Sequence, residues 1–117
     1  MNITIQFTNV EPTQAIRDYT EEKLQTLEKF FENIQKMDVD IGAREQRHNK
    51  GKRYYAEVNV HIPGKVVRVA KDTEDLYKAI DKVKDHLKVE LQKIKDKMRR
   101  QDRRTIRHQK EYRVEEV

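Results

Sequence analysis

The side chains in this sequence best placed to do chemistry are cations. Residues 93–110 hold nine lysines and arginines (Lys93, Lys95, Lys97, Arg99, Arg100, Arg103, Arg104, Arg107 and Lys110) against Asp96 and Asp102, which leaves +7. Residues 1–92 carry 16 basic and 16 acidic side chains and sum to zero. The last seven residues set Arg113 against Glu111, Glu115 and Glu116, or −2. The formal +5 of the 117-residue chain is therefore the property of one segment. Ammonium and guanidinium groups at this density hold polyanions, and nucleic acid is the first candidate. A solvated helix end that keeps the chain dispersed has the same composition, so charge alone leaves both readings open. Further cations, Arg44, Arg47, Lys50, Lys52 and Arg53, surround a polar stretch in mid-chain, and Lys71, Lys78 and Lys82 precede the basic segment. Phosphate contacts need only suitably spaced cations, so the pattern permits binding without naming a partner.

Covalent and metal chemistry find little support. The chain has no cysteine and no serine, which removes disulfides, thiol nucleophiles and Cys-based zinc sites. His48, His61, His86 and His108 are scattered and do not suggest a metal site. His61, near Asn59 and Glu57, could act as a base, but a plain surface histidine is the simpler reading. None of the three glycines forms a phosphate-cradling loop before a helix. We expect no enzyme, cofactor, metal or small-molecule substrate. Tyr54 and Tyr55 could offer a ring for base stacking, and alternation points only Tyr55 outward; ordinary strand aromatics are the simpler reading. No apolar run approaches the ~20 residues that span a bilayer. Met1-Asn2-Ile3-Thr4 lacks the layout of a signal peptide, so the expected setting is cytoplasmic, without membrane contact.

The elements that must position these cations follow from periodicity. Ile3, Ile5 and Phe7 alternate with Thr4, Gln6 and Thr8, a half-buried strand over 2–8. Pro12 punctuates, Thr13 is a candidate N-cap, and Ile16, Tyr19, Leu24, Leu27, Phe31 and Ile34 predict a helix over roughly 13–32. Met37, Val39, Ile41 and Ala43 give a second strand; Tyr54, Ala56, Val58, Val60 and Ile62 give a third, with a hairpin loop over 46–52. Pro63-Gly64 is the preferred centre of a type II turn and leads into a fourth strand, Lys65 to Lys71. The last helix is predicted from Thr73 as N-cap, with Glu74 and Asp75 in its first turn and Leu76, Ile80, Val83, Leu87, Leu91, Ile94 and Met98 as its stripe. The expected fold is α+β, β-α-β-β-β-α: a four-stranded sheet with both helices on one face and the other face open. A helix from 73 to about 101 would be roughly 44 Å long at ~1.5 Å per residue, whereas eight-residue strands reach about 27 Å. Its basic end should overhang the sheet.

Several strings resemble the ribosome hibernation factors, the short hibernation promoting factor and ribosome-associated inhibitor A, also known as sigma-54 modulation proteins. They are Asn9-Val10-Glu11, Ala15-Ile16-Arg17-Asp18-Tyr19, Lys23-Leu24 with Leu27-Glu28-Lys29-Phe30-Phe31, and above all Glu74-Asp75-Leu76-Tyr77-Lys78-Ala79-Ile80-Asp81. The resemblance covers roughly residues 2–100 and implies a fold like double-stranded-RNA-binding domains with an extra strand. It also implies binding to the small ribosomal subunit, to its 16S-type rRNA and neighbouring ribosomal proteins, in the mRNA and tRNA channel of idle ribosomes. Residues 1–100 would be the ribosome-binding domain, monomeric when free, and 101–117 a charged, flexible tail; nothing resembles the dimerising C-terminal domain of the long factors. On this reading the RNA-binding residues are Arg44, Arg47, Lys50, Lys52, Arg53, Lys71, Lys78, Lys82, Lys93, Lys97, Arg99 and Arg100. Asp75, Tyr77 and Asp81 are expected to be structural. Where the family typically reads Lys-Leu-x-Arg-Gln-Leu, this chain has His86-Leu87-Lys88-Val89-Glu90-Leu91, so two family cations are missing, at His86 and Val89. The rRNA footprint is then expected to rotate around the helix and shift toward its C-terminal end. Two other readings stay open: a general binder of structured RNA, and a protein-interaction module whose charged helix seeks an acidic partner.

Overall fold

Strands form where the period is two and helices where it is near 3.6, in the order β1 (Asn2–Thr8), α1 (Gln14–Phe30), β2 (Lys36–Glu45), β3 (Lys52–Ile62), β4 (Lys65–Thr73) and α2 (Leu76–Glu115). The computed structural model describes the backbone of residues 2–45 and 52–115, and the side chains of residues 2–44 and 53–101. The sheet order is β1-β2-β3-β4. β1 runs parallel to β2, with Ile5 opposite Val39, because α1 carries the chain back across the sheet. The β2–β3 and β3–β4 pairs are antiparallel. Pro63-Gly64 closes the second hairpin, and Gly64 takes the positive φ of 76° that the third residue of a type II turn requires.

One face of the sheet carries the core. Met37, Val39 and Ile41, Ala56, Val58 and Val60, and Val67 and Val69 pack against Leu24 and Leu27 of α1 and against Ile80, Val83, Leu87 and Leu91 of α2. Both helices therefore lie on that face, as the stripes predicted. Thr13 caps α1, its hydroxyl accepting from Ile16 N at 3.2 Å. Thr20 is fully buried on the α1 stripe, its hydroxyl satisfied by the Ile16 carbonyl at 2.8 Å.

The start of α2 differs from the sequence expectation. Thr73 is still a strand residue, opposite Tyr54, and its buried hydroxyl donates to the Asp75 carbonyl and accepts from Asp75 N. Asp75 caps the helix instead: its carboxylate accepts from Tyr77 N at 3.0 Å and its carbonyl from Ala79 N at 3.0 Å. The β-ladder holds Thr73, so the cap moves two residues along. The other end also differs. The apolar stripe stops near Ile94, and Met98 is 45% exposed because the sheet no longer lies beneath it. The helix nevertheless continues to Glu115, since no glycine or proline follows Gly64 and Lys, Arg and Gln favour helix. At ~1.5 Å per residue α2 is about 60 Å long. It overhangs the sheet and stretches the molecule to 74 × 30 × 18 Å.

Candidate nucleic-acid interface

The cations of α2 divide into two flanks about its buried stripe. At ~100° per residue, Lys78, Lys82, Lys93, Lys97 and Arg100 fall within an arc of about 100° on one side. Lys84, Lys88, Lys95 and Arg99 fall on the other. The second side faces α1: Tyr19 of α1 donates to Asp81 at 2.6 Å, and the Lys88 and Lys95 ammoniums lie 5.4 and 4.9 Å from the Phe30 ring centre. The first flank is therefore the outer one, turned away from α1. Lys71 belongs with it, on the helix side of the edge strand β4 opposite Ala56. So does Lys65, opposite Ile62, which sequence reasoning did not select. Of the predicted α2 contacts, Arg99 alone is on the α1 side.

The remaining predicted cations lie elsewhere. Arg44 and Arg53 face each other across β2 and β3 on the open side of the sheet, at the end where α2 begins. Arg44 pairs with Asp72 at 3.5 Å, and Arg53 donates to the Asp72 carbonyl at 3.2 Å. They are on the opposite face and at the opposite end from the overhang. Arg47, Lys50 and the Lys52 side chain lie outside the described residues. A compact footprint can thus hold the outer flank of α2 with Lys71, but not Arg44 and Arg53 as well.

Within the outer flank the cations are unequally available. Lys78 donates to Glu74 at 2.9 Å; the contact holds the Glu74 carboxyl below its usual range and raises the Lys78 ammonium. Lys93 sits 3.4 Å from Glu90, and that hydrogen bond, with a weaker one from His86, lowers the Glu90 carboxyl. Among the described residues, Lys82, Lys97 and Arg100 have no such ion pair. These three can take a phosphate without first giving up a carboxylate.

Among the described residues, the open face offers no comparable site. Asp38 takes His61 at 2.9 Å and Lys36 at 3.9 Å, and Arg68 pairs with Glu57 at 2.6 Å. His61 is thus a paired strand residue. Tyr55 does lie on this face, but it is only 6% exposed. Its cross-strand partner is Gly42, and a Cβ there would meet the Tyr55 ring, its hydroxyl and the Thr8 carbonyl at 2.6 Å. The ring lies in that gap, donates to Asp40 at 3.1 Å and is covered by the Arg44 guanidinium at 4.3 Å. Tyr55 is thus an ordinary strand aromatic that points to the open face but offers no free ring, and glycine opposite tyrosine is the signal that the ring folds down.

The string at the start of α2 works as a fastener. Asp75 caps, Asp81 holds the Tyr19 hydroxyl, and Tyr77 packs edge-on against Tyr19 with ring centres 4.9 Å apart. Acceptance by Asp81 pushes the Tyr19 pKa up to about 12. These contacts lock α1 to α2 across 62 residues of sequence. They explain why the string is recognisable although it supplies one cation to the outer flank, Lys78.

The family described as "Sigma 54 modulation protein / S30EA ribosomal protein" matches residues 3–99. The chain belongs to this family. Among its relatives, the ribosome hibernation promotion factor of Deinococcus radiodurans is 37% identical over 93 residues, covering 80% of this chain and 48% of that protein. The ribosome hibernation promoting factor of Escherichia coli (strain K12) is 29% identical over 99 residues, covering 85% of this chain and 98% of that protein. The chain thus spans about half the length of the first of these relatives and nearly all of the second. The crystal structure of the Thermus thermophilus Protein Y N-terminal domain superposes with a TM-score of 0.64 at 32% identity, covering 80% of this chain and 99% of that one. A ribosomal subunit interface protein from Coxiella burnetii shares the fold, with a TM-score of 0.66 at 24% identity over 82% of this chain and 99% of that one.

The two positions at which the resemblance leads one to expect cations, His86 and Val89, can be located on the helix. Both positions fall on the outer flank of α2, between Lys82 and Lys93, and Val89 is 52% exposed. The neighbouring cations Lys84 and Lys88 cannot replace them in place, since both point to the α1 side. The outer flank therefore has a central gap, with charge at its start and on its overhang.

Proposed function

We propose that this chain is a ribosome hibernation factor of the cytoplasm. It occupies the mRNA and tRNA channel of the small subunit and blocks translation in idle ribosomes, without catalysing a reaction. The observation that supports this most is the cationic outer flank of α2, carried past the end of the sheet on a continuous helix. A rod of this kind can enter an RNA-walled cleft while the neutral body stays at the mouth. Lys82, Lys97 and Arg100 make the leading phosphate contacts; Lys71, Lys78 and Lys93 add to them after exchanging their carboxylates. Arg99 contacts RNA from the α1 side, and Arg44, Arg47, Lys50, Lys52 and Arg53 reach a separate strand or a ribosomal protein at the far end. Residues 1–100 are the binding unit, with 101–117 as a charged extension. The relatives named as hibernation factors support the same reading.

Chemical probing of rRNA in small subunits, with and without the chain, tests this. Protections should cluster in the cleft between head and body. Protections spread over the outer surface, or none at saturating protein, would contradict it. A general binder of structured RNA would give the scattered pattern.

A further inference from the structure

Where α2 leaves the sheet, it and the C-terminus of α1 enclose an open cavity of about 400 Å³, lined by Lys29, Phe30, Phe31, Glu32, Asn33, Lys95, Met98 and Arg99. Phosphate binding alone does not require its apolar wall. Phe30 is only half-buried, although the next residue, Phe31, is in the core. Met98, from the overhang, stands 45% exposed beside it. Lys95 holds the two helices at this spacing, donating to the Phe30 carbonyl at 3.2 Å while its ammonium lies 4.9 Å from the Phe30 ring centre. Lys29 and Arg99 are exposed at the rim, and Glu32 is the one carboxylate among the lining residues.

An apolar, partly aromatic wall beside two uncommitted cations has the chemistry of an unpaired nucleotide: a flat base with a phosphate one sugar away. A paired duplex hides the base face that such a wall would cover. We propose that this cavity seats one unpaired RNA nucleotide, its base against Phe30 and Met98 and its phosphate between Lys29 and Arg99. The inference rests on the ribosome reading above and deepens it. While the outer flank holds backbone by charge, the α1 side holds one flipped or single-stranded base by contact. The site also gives a use to Arg99, the one predicted α2 contact on the wrong side for the outer flank.

The test uses the full chain, fluorescently labelled hexaadenylate and an abasic ribose-phosphate hexamer of equal charge. Stacking of one base predicts roughly tenfold tighter binding of hexaadenylate than of the abasic oligomer. Met98→Gln, at an exposed position, should remove most of that preference without changing the circular dichroism spectrum. Because the chain has no tryptophan, Phe30→Trp creates a single reporter, whose emission should be quenched by hexaadenylate and not by the abasic oligomer. Equal affinity of the unsubstituted chain for both oligomers overturns the proposal, as does a preference untouched by Met98→Gln. Cosedimentation with small subunits, measured alongside, separates the two levels. Subunit binding without base preference sinks the nucleotide site alone; absence of subunit binding sinks the reading beneath it.

Discussion

Neutralising the overhanging part of the outer flank should change the salt dependence of binding in a calculable way. In the triple variant Lys93→Gln, Lys97→Gln, Arg100→Gln, three cations are lost from one side of α2 with no core contact disturbed, since all three side chains are exposed. Each cation that neutralises a phosphate contributes about 0.7–0.9 to the slope of log K against log salt. The slope should therefore fall in magnitude by roughly 2–3, with Lys93 giving less than the others because it must leave Glu90. Relative to 1 M salt, that difference is about two orders of magnitude in affinity at 0.1 M, and the two curves should converge at high salt. The assay is cosedimentation with purified small subunits over a salt series. Lys36→Gln with Arg68→Gln is the control, removing two cations from the open face, where each already has a carboxylate. If the control loses as much slope as the triple variant, or the triple variant loses none, binding is not focused on the outer flank of α2.

Other expectations follow from particular contacts. Val89→Arg places a cation in the gap of the outer flank at a 52% exposed position, and should raise the salt slope by about 0.7–0.9 and tighten subunit binding several-fold at 0.1 M salt. Tyr19→Phe removes the hydrogen bond to Asp81 and should cost about 1 kcal/mol in denaturant unfolding, allowing for solvent screening, with subunit affinity little changed. Because the Tyr19 pKa is raised from 10.0 to about 12 in the folded chain, its contribution is intact below pH 10 and is lost as pH rises toward 12. The stability difference between the unsubstituted chain and Tyr19→Phe should shrink over that interval. Gly42→Ala forces a Cβ to 2.6 Å from the Thr8 carbonyl and the Tyr55 ring, and should destabilise by about 1–3 kcal/mol, read from the urea midpoint. Leu87→Ala, at a fully buried position between α2 and the sheet, should cost about 2–5 kcal/mol.

The sheet and the helix stripes were legible because alternation and 3.6-residue periodicity record burial directly. Ile3, Ile5 and Phe7, or Leu87 and Leu91, can face only one way if they are to leave water. The cap of α2 was less legible, because Thr73 and Asp75 both suit an N-cap and only the β3–β4 register decides between them. Met98 continued the stripe in sequence but not in space: periodicity shows which side of a helix is apolar and not where the sheet beneath it ends. For the candidate site, composition located the charge on α2 but not its division between two flanks. Helical angles separate Lys97 from Arg99, yet knowing that Arg99 faces α1 needs the Tyr19–Asp81 and Lys95–Phe30 contacts. Arg44 and Arg53, clustered around the hairpin in sequence, were expected to help the cations of the basic helix. Strand parity puts Arg44 and Arg53 on the other face, where Asp72 and Tyr55 engage them.

Competition on the small subunit tests the central claim most directly. Subunits with an empty channel and subunits filled with mRNA and tRNA are each incubated with the chain at low salt and pelleted. The chain should pellet with empty subunits, be excluded from filled ones, and resist displacement by excess duplex RNA. Failure to pellet even at low salt, equal binding to filled subunits, or displacement by duplex RNA as readily as by rRNA fragments would contradict it.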